Sequence, residues 1–244
     1  MNPVIDLLKS HRSIRKFTSQ ALSPEQIDAI VTSAQAASTS SNVQAYSIIA
    51  VTEPAIRLEL ARLAGSQAYV EQSGLFLVFC ADLHRIRQAT EQQGETFHQN
   101  TESFIVATVD AALAAQNAAV AAESMGLGVC YIGSIRNEID SVSRLLRLPE
   151  LVYPVFGLTI GVPDQAPSPR PRLPKQAVVH ENTYKPEQAA AGVQAYDEVM
   201  SEYYQTRAGG KAVTNWSRSI ADKYRKPVRA HMRSFLDAQG FRLD

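Results

Sequence analysis

The sequence predicts an α/β core reaching to about residue 162, followed by a proline-rich arm and a helical tail. Three observations predict it. Up to Val162, helix-period segments alternate with short continuous apolar runs, the pattern of strands buried between helices. Pro163, Pro167, Pro169, Pro171, Pro174 and Pro186 then follow too densely for a regular sheet to continue. Helical patterning returns at residues 188–206 and 218–236. The divisions drawn from this are a core over 1–162, an arm over 163–187 and a helical extension over 188–244.

Each element has a local reason. Residues 2–10 read as a short helix with Val4, Leu7 and Leu8 on one face. Ser23-Pro24-x-Gln26 is a capping box with proline at the first helical position, and Ile27, Ile30, Val31 and Ala34 carry that helix to about Ala37. Small polar residues at 38–42 end it. Strands are predicted at 47–51 and at Leu75 to Ala81, the latter apolar throughout. Pro54 opens a helix to Leu63, and the polar stretch 83–100 includes another. A long Ala-rich helix spans 101–125, closed by Gly126 and Gly128. A strand at 130–132, a helix at 135–146 and a strand at 153–162 complete the core.

Composition excludes several functions. Acidic and basic residues balance at 24 each, so no net field drives binding to nucleic acid or an anionic membrane. The N-terminus has neither the basic nor the apolar region of a secretory signal. The apolar stretch 106–125 carries Asp110, Gln116, Asn117 and Glu123 and reads as a buried helix of a soluble protein. Cys80 and Cys130 lie in apolar runs without a CxxC or Cys/His cluster, as buried thiols of a reducing cytoplasm do. His11, His84, His98, His180 and His231 show no metal-ligand spacing, so no metal is expected. GxGxxG, P-loop, HExxH and GxSxG motifs are all missing. A hydrolytic triad has no positive support in the sequence, though none of these absences excludes one; if the protein is an enzyme, its chemistry is expected to come from an organic cofactor.

Three polar clusters carry the functional argument. His11-Arg12-Ser13-Ile14-Arg15 sets two guanidiniums, an imidazole and a hydroxyl within one short segment, and arginine forks match phosphate oxygens. Ser38 to Asn42 is a run of hydrogen-bonding residues, and Arg170-Pro171-Arg172 is a stiff arm offering two guanidiniums. Taken singly, they also read as a solvated helix end, a serine-rich loop and a linker.

Together, HRSIRKF at 11–17, STSSNVQAYS at 38–47, Gln67 with Tyr69, YIGSIRN at 131–137, GVP at 161–163, RPRLP at 170–174 and HENTY at 180–184 resemble the nitroreductase superfamily, and within it the NfsA/FRP group of NADPH-dependent FMN oxidoreductases. The resemblance runs in order along nearly the whole chain. It implies an α+β fold with a central, mostly antiparallel sheet flanked by helices, and an interlocked homodimer with FMN at the interface.

Carried over by motif position, His11, Arg12, Ser13 and Arg15 are implied to contact FMN, with Arg15 as electrostatic support for the reduced ring. Thr39, Ser40 and Asn42 are implied to reach the flavin of the neighbouring subunit, and Gln67 and Tyr69 to lie near its ring or tail. Tyr131, Ile132, Gly133 and Ser134 are implied to supply backbone contacts, and Arg170 and Arg172 match the positions that hold the phosphate in the family. Arg207 matches an NADPH 2′-phosphate arginine; Lys211 stands in for arginines missing after it, and Arg229 matches a position on the substrate side. Thr39 and Ser134 depart from the serine and glycine common there. The implied reaction moves two electrons from NAD(P)H to nitroaromatics, quinones or free flavins by a ping-pong route through one site. Two alternatives stay open: a flavin-binding relative without general reductase activity, and a non-catalytic protein whose arginines bind a phosphorylated partner.

Overall fold

A computed structural model describes residues 2–207 and 214–244, Arg207 by its backbone alone. Helix α1 (Pro3–Lys9) is capped by the Asn2 side chain, which accepts from the Val4 N–H at 2.9 Å. Helix α2 (Pro24–Gln35) begins with the expected capping box, Ser23 and Gln26 each accepting from the other's backbone N–H. A 3-10 turn, Ser40–Asn42, then leads into strand β1 (Tyr46–Ala50). Helix α3 (Pro54–Leu63) is followed by a short helix not anticipated from the sequence, α4 (Ala68–Gln72), and by strand β2 (Leu75–Asp82). Helix α5 (His84–Gln92) precedes the long α6 (Thr101–Ser124).

Strand β3 (Gly128–Ile132) starts two residues before the predicted one. The helix expected over 135–146 is divided into a 3-10 turn, Gly133–Arg136, and helix α7 (Ile139–Leu145). Strand β4 (Val152–Gly161) closes the core sheet. The arm holds one further turn of helix, α8 (Lys175–Val178), ahead of α9 (Pro186–Arg207). The single tail helix expected over 218–236 is in fact two, α10 (Trp216–Tyr224) and α11 (Met232–Ala238), because Pro227 interrupts it.

The four strands form one sheet in the order β1-β2-β4-β3, every pair antiparallel. The alternation read as α/β is therefore an α+β fold, as the resemblance implied. Strand β2 is buried on both faces, and its alternate residues feed two cores. Leu75, Leu77, Phe79 and Ala81 face the cluster built with Ile30 and Ala34 of α2 and the alanines of α6. Phe76, Val78 and Cys80 face Leu60, Ala61 and Leu63 of α3 and Val142 of α7.

Helix α6 is the one described helix long and apolar enough to cross a membrane by length and composition. Its buried face is alanine at 107, 111, 114, 115, 118, 119 and 122, which lets it lie close on the sheet and α2. Its opposite face leaves Ile105, Val109 and Leu113 each more than 40% exposed. It ends in a Schellman motif: Gly126 takes φ +76°, its N–H donates to Glu123 O, and Leu127 N–H donates to Ala122 O.

The chain divides into two compact units, residues 1–168 with 231–244, and residues 169–230. In the first, Phe241 packs edge-on against Phe104 and Tyr153, and Leu151 N–H donates to Gln239 O, which binds the C-terminus to the sheet core. In the second, α8 lies so close to α9 that a Cβ at Gly192 would fall 2.3 Å from the Ala177 methyl. The Trp216 ring of α10 meets Tyr196 of α9 edge-on.

Candidate flavin site

The N-terminal cluster is held as an extra edge beside β3. Ile14 N–H donates to Val129 O at 2.9 Å, and Ser13 bridges Val129 in parallel. Further on, Thr18 N–H donates to Val162 O and Asp164 N–H to Lys16 O, so residues 13–18 run beside both β3 and the end of β4. Gly128 permits this approach: a Cβ there would lie 2.6 Å from Ile14. Alternation along an extended segment then buries Ile14 and places Ser13 and Arg15 together on the other side.

Ser13 and Arg15 both reach Cys130, and Arg15 also reaches Tyr69. The Tyr69 hydroxyl donates to Gln67 Oε1 at 2.7 Å. Burial raises the Tyr69 pKa above its ordinary value and the nearby Cys130 sulfur adds to this, while a hydrogen bond and the charge of Arg15 oppose it. Burial likewise raises the Cys130 thiol, opposed by the Arg15 charge and by hydrogen bonds from Ser13 and Arg15. His11 Nδ1 lies 2.7 Å from Glu123 Oε1 at the end of α6, with the carboxylate almost buried. The Tyr131 hydroxyl donates to Gln116 Oε1 at 3.3 Å, and its pKa is pushed up to about 12 by burial, with Glu123 adding to it.

At the end of β3, Ile132 is buried, and Gly133 and Ser134 turn the chain. Arg136 donates to Val155 O, and the Arg136 carbonyl lies 3.0 Å from His231 Nε2. The loop carrying Thr39, Ser40 and Asn42 is built differently. Ser41, Asn42 and Gln44 all have positive φ, a conformation that costs free energy in residues other than glycine. The Thr39 hydroxyl accepts from Gln44 N–H at 3.3 Å, while the N–H groups of Ser40 and Ala45 donate to the two oxygens of buried Asp110 at 3.1 and 3.0 Å. Among the described residues no hydrogen bond joins this loop to the 11–15 segment.

In the second unit, the Tyr196 hydroxyl donates to Pro171 O at 2.7 Å and fixes the backbone between exposed Arg170 and Arg172. Arg229 is partly exposed with φ +52°. Arg207 closes α9, and Lys211 lies outside the described residues.

Two features fit an anionic, hydrogen-bonding cofactor such as FMN. Among the described residues, Arg12, Arg15, Arg170 and Arg172 have no carboxylate partner. The Ser134 hydroxyl is buried and has no hydrogen-bond partner among the described residues, an arrangement that costs free energy unless water or a ligand supplies one. Sequence reasoning assigned no site role to Asp110, Gln116, Glu123 or Cys130. The signal for the first three was the occurrence of charged and amide side chains in an otherwise alanine-rich helix.

An antiparallel α+β core whose sheet edge is lined by cationic and hydroxyl side chains has the character of a protein that binds an anionic cofactor. Comparison with known proteins narrows this. The nitroreductase family model matches residues 8–162, and the model of that family's C-terminal domain matches residues 170–244. The chain is 50% identical to a protein named FMN reductase (NADPH) from Bacillus subtilis (strain 168), over 99% of both chains. It is 41% identical to a Cr(VI) reductase from Pseudomonas sp. (strain G-1), over 98% of both. The solved structure of B. megaterium NfrA1 superposes with a TM-score of 0.95 at 50% identity, covering 98% of this chain and 99% of that one. The chain belongs to the nitroreductase family.

Proposed function

We propose that the protein works as a homodimeric flavin reductase whose site is assembled around the Ser13–Arg15 edge of the sheet. The chain is an enzyme, an FMN-dependent NAD(P)H oxidoreductase, with FMN as cofactor and NADPH as electron donor. The observation that carries the site assignment is the convergence of Ser13 and Arg15 on Cys130 and of Arg15 on the Tyr69–Gln67 pair, with no carboxylate among the described residues ion-paired to the guanidinium.

Bound FMN supplies the two-electron chemistry that passes reducing equivalents from NADPH to a second substrate. The chain supplies position and charge. Arg12 and Arg15 would attract the anionic cofactor, and Arg15 would stabilise negative charge on its reduced form. The Ser134 hydroxyl and the backbone of residues 131–134 offer hydrogen-bonding groups. Glu123 holds the His11 imidazole, and Thr39, Ser40 and Asn42 serve the neighbouring subunit's flavin. By family position, Arg170 and Arg172 hold the phosphate, and Arg207, Lys211 and Arg229 serve NADPH or substrate; the arm and the extension belong functionally with the 1–162 core.

The exposed Ile105–Val109–Leu113 stripe supports dimerisation through α6, since a contiguous apolar face on a central helix is stabilised by burial against a second copy. Nitroaromatics, quinones, free flavins and, by analogy with the Cr(VI) reductase, chromate are candidate acceptors. Two buried free thiols fit a reducing cytoplasm. Arg15→Ala tests the site directly: flavin retention is expected to weaken about tenfold or more, the scale of one charge-assisted contact. Wild-type flavin occupancy and turnover in that variant would remove Arg15 from the site.

A further inference from the structure

We infer that Asp110 is a positioning residue acting in trans: from the body of one subunit it fixes the loop that completes the flavin site of the other. Asp110 projects from α6 and is 1% exposed. Among the described residues it has no ion-pair partner, so its burial rests on hydrogen bonds. One carboxylate oxygen accepts from Ser40 N–H at 3.1 Å and the other from Ala45 N–H at 3.0 Å. These two bonds grip the loop at both ends of its strained stretch, where Ser41, Asn42 and Gln44 hold positive φ. An aspartate is required because both facing groups are donors. An asparagine would offer one acceptor and turn an NH2 group towards the other N–H.

The same helix carries Val109 and Leu113 on its exposed face, beside Asp110 in sequence. Asp110 therefore ties the loop to the helix assigned to the dimer contact. Among the described residues the loop's hydrogen bonds run to Asp110 and within itself, with the Thr39 and Asn42 side chains accepting from Gln44, so the hydroxyls of Ser40 and Ser41 are left to a partner. The inference rests on the flavin-site reading given above, with residues 39–42 serving the neighbouring subunit.

The test uses the full-length flavin-loaded dimer, with flavin release on dilution followed by fluorescence. Asp110→Asn is expected to raise the FMN Kd about tenfold, the effect of losing one charge-assisted bond and opposing two donors. A second variant reaches the contact from the loop side. Ser40 opens the 3-10 turn, and Thr39 before it, at φ −129° and ψ 156°, already has the extended backbone that a following proline requires. Ser40→Pro deletes the N–H without burying a new charge and is expected to weaken FMN binding beyond Ser40→Ala, which removes only the hydroxyl. It replaces Asp110→Asn in every arm if that variant does not fold.

Mixed dimers decide the trans element. Pairing an Asp110→Asn chain with an Arg15→Ala chain, isolated by two affinity tags, leaves one site with neither defect and one with both. Half the sites should then bind FMN with wild-type affinity although each parent homodimer is weak. A purely structural defect would not be rescued in this way. Wild-type affinity in both Asp110→Asn and Ser40→Pro homodimers would overturn the inference, as would mixed dimers in which no site recovers. If Arg15→Ala homodimers alone keep wild-type affinity, the flavin-site reading fails there, while the comparison of Ser40→Pro with Ser40→Ala still judges Asp110.

Discussion

At the scale of single residues, Ser134 carries a buried hydroxyl with no hydrogen-bond partner among the described residues. Ser134→Ala should leave the melting temperature of flavin-free protein unchanged or raise it, because an unsatisfied group is removed, while FMN binding weakens a few-fold, roughly one neutral hydrogen bond. Equal destabilisation with and without flavin would contradict that role. Tyr131 gives a pH prediction. Its pKa is raised from 10.0 to about 12, chiefly by burial, so the folded state holds the phenolic proton more tightly than the unfolded chain. The stability this contributes is full below pH 10 and is lost as pH rises towards 12. Tyr131→Phe should therefore flatten the decline in unfolding free energy over that window, as read by urea titration at a series of pH values. The basic and serine clusters were legible in the sequence, but Asp110 and Glu123 were not. Their partners lie 65 to 112 residues away, and no local pattern reports a contact at that separation.

At the scale of elements, α6 organises the site: Asp110 holds the serine loop, Gln116 the Tyr131 hydroxyl and Glu123 the His11 imidazole. Its start is fixed by a capping box, with Asn100 Oδ1 accepting from Ser103 N–H and Ser103 Oγ from Asn100 N–H. Asn100→Ala should cost about 1 kcal/mol of unfolding free energy, as typical N-caps do; no change in the denaturation midpoint would show that the helix start is held by packing alone. Elements with strong local signals were readable in advance, among them α2 from Ser23-Pro24, α3 from Pro54 and β2 from its apolar run. Those set by tertiary contact were not. Helix α4 is held partly by Arg57, which donates to Val70 O and Ser73 O from another helix. The break between α10 and α11 was readable in principle, since Pro227 stands in the middle of the segment predicted as continuous.

At the scale of the whole molecule, the account requires two chains. Leu113→Lys places a charge in the middle of the apolar stripe of α6, where burying a leucine contributes roughly 1.5–3 kcal/mol per subunit. Sedimentation should show the variant shifted towards monomer with flavin lost in parallel; a stable, fully flavinated dimer would move the interface elsewhere. The fold was legible at this level because the ordered motifs span nearly the whole chain, whereas the acceptor was not, since a site that admits nicotinamide places few demands on what replaces it. The most direct test of the central claim is the visible spectrum of the purified protein, recorded before and after anaerobic addition of NADPH and, separately, NADH. The account predicts a yellow protein that bleaches with NADPH faster than with NADH. A colourless protein that takes up no added FMN, or a yellow one that neither nucleotide bleaches, would contradict it.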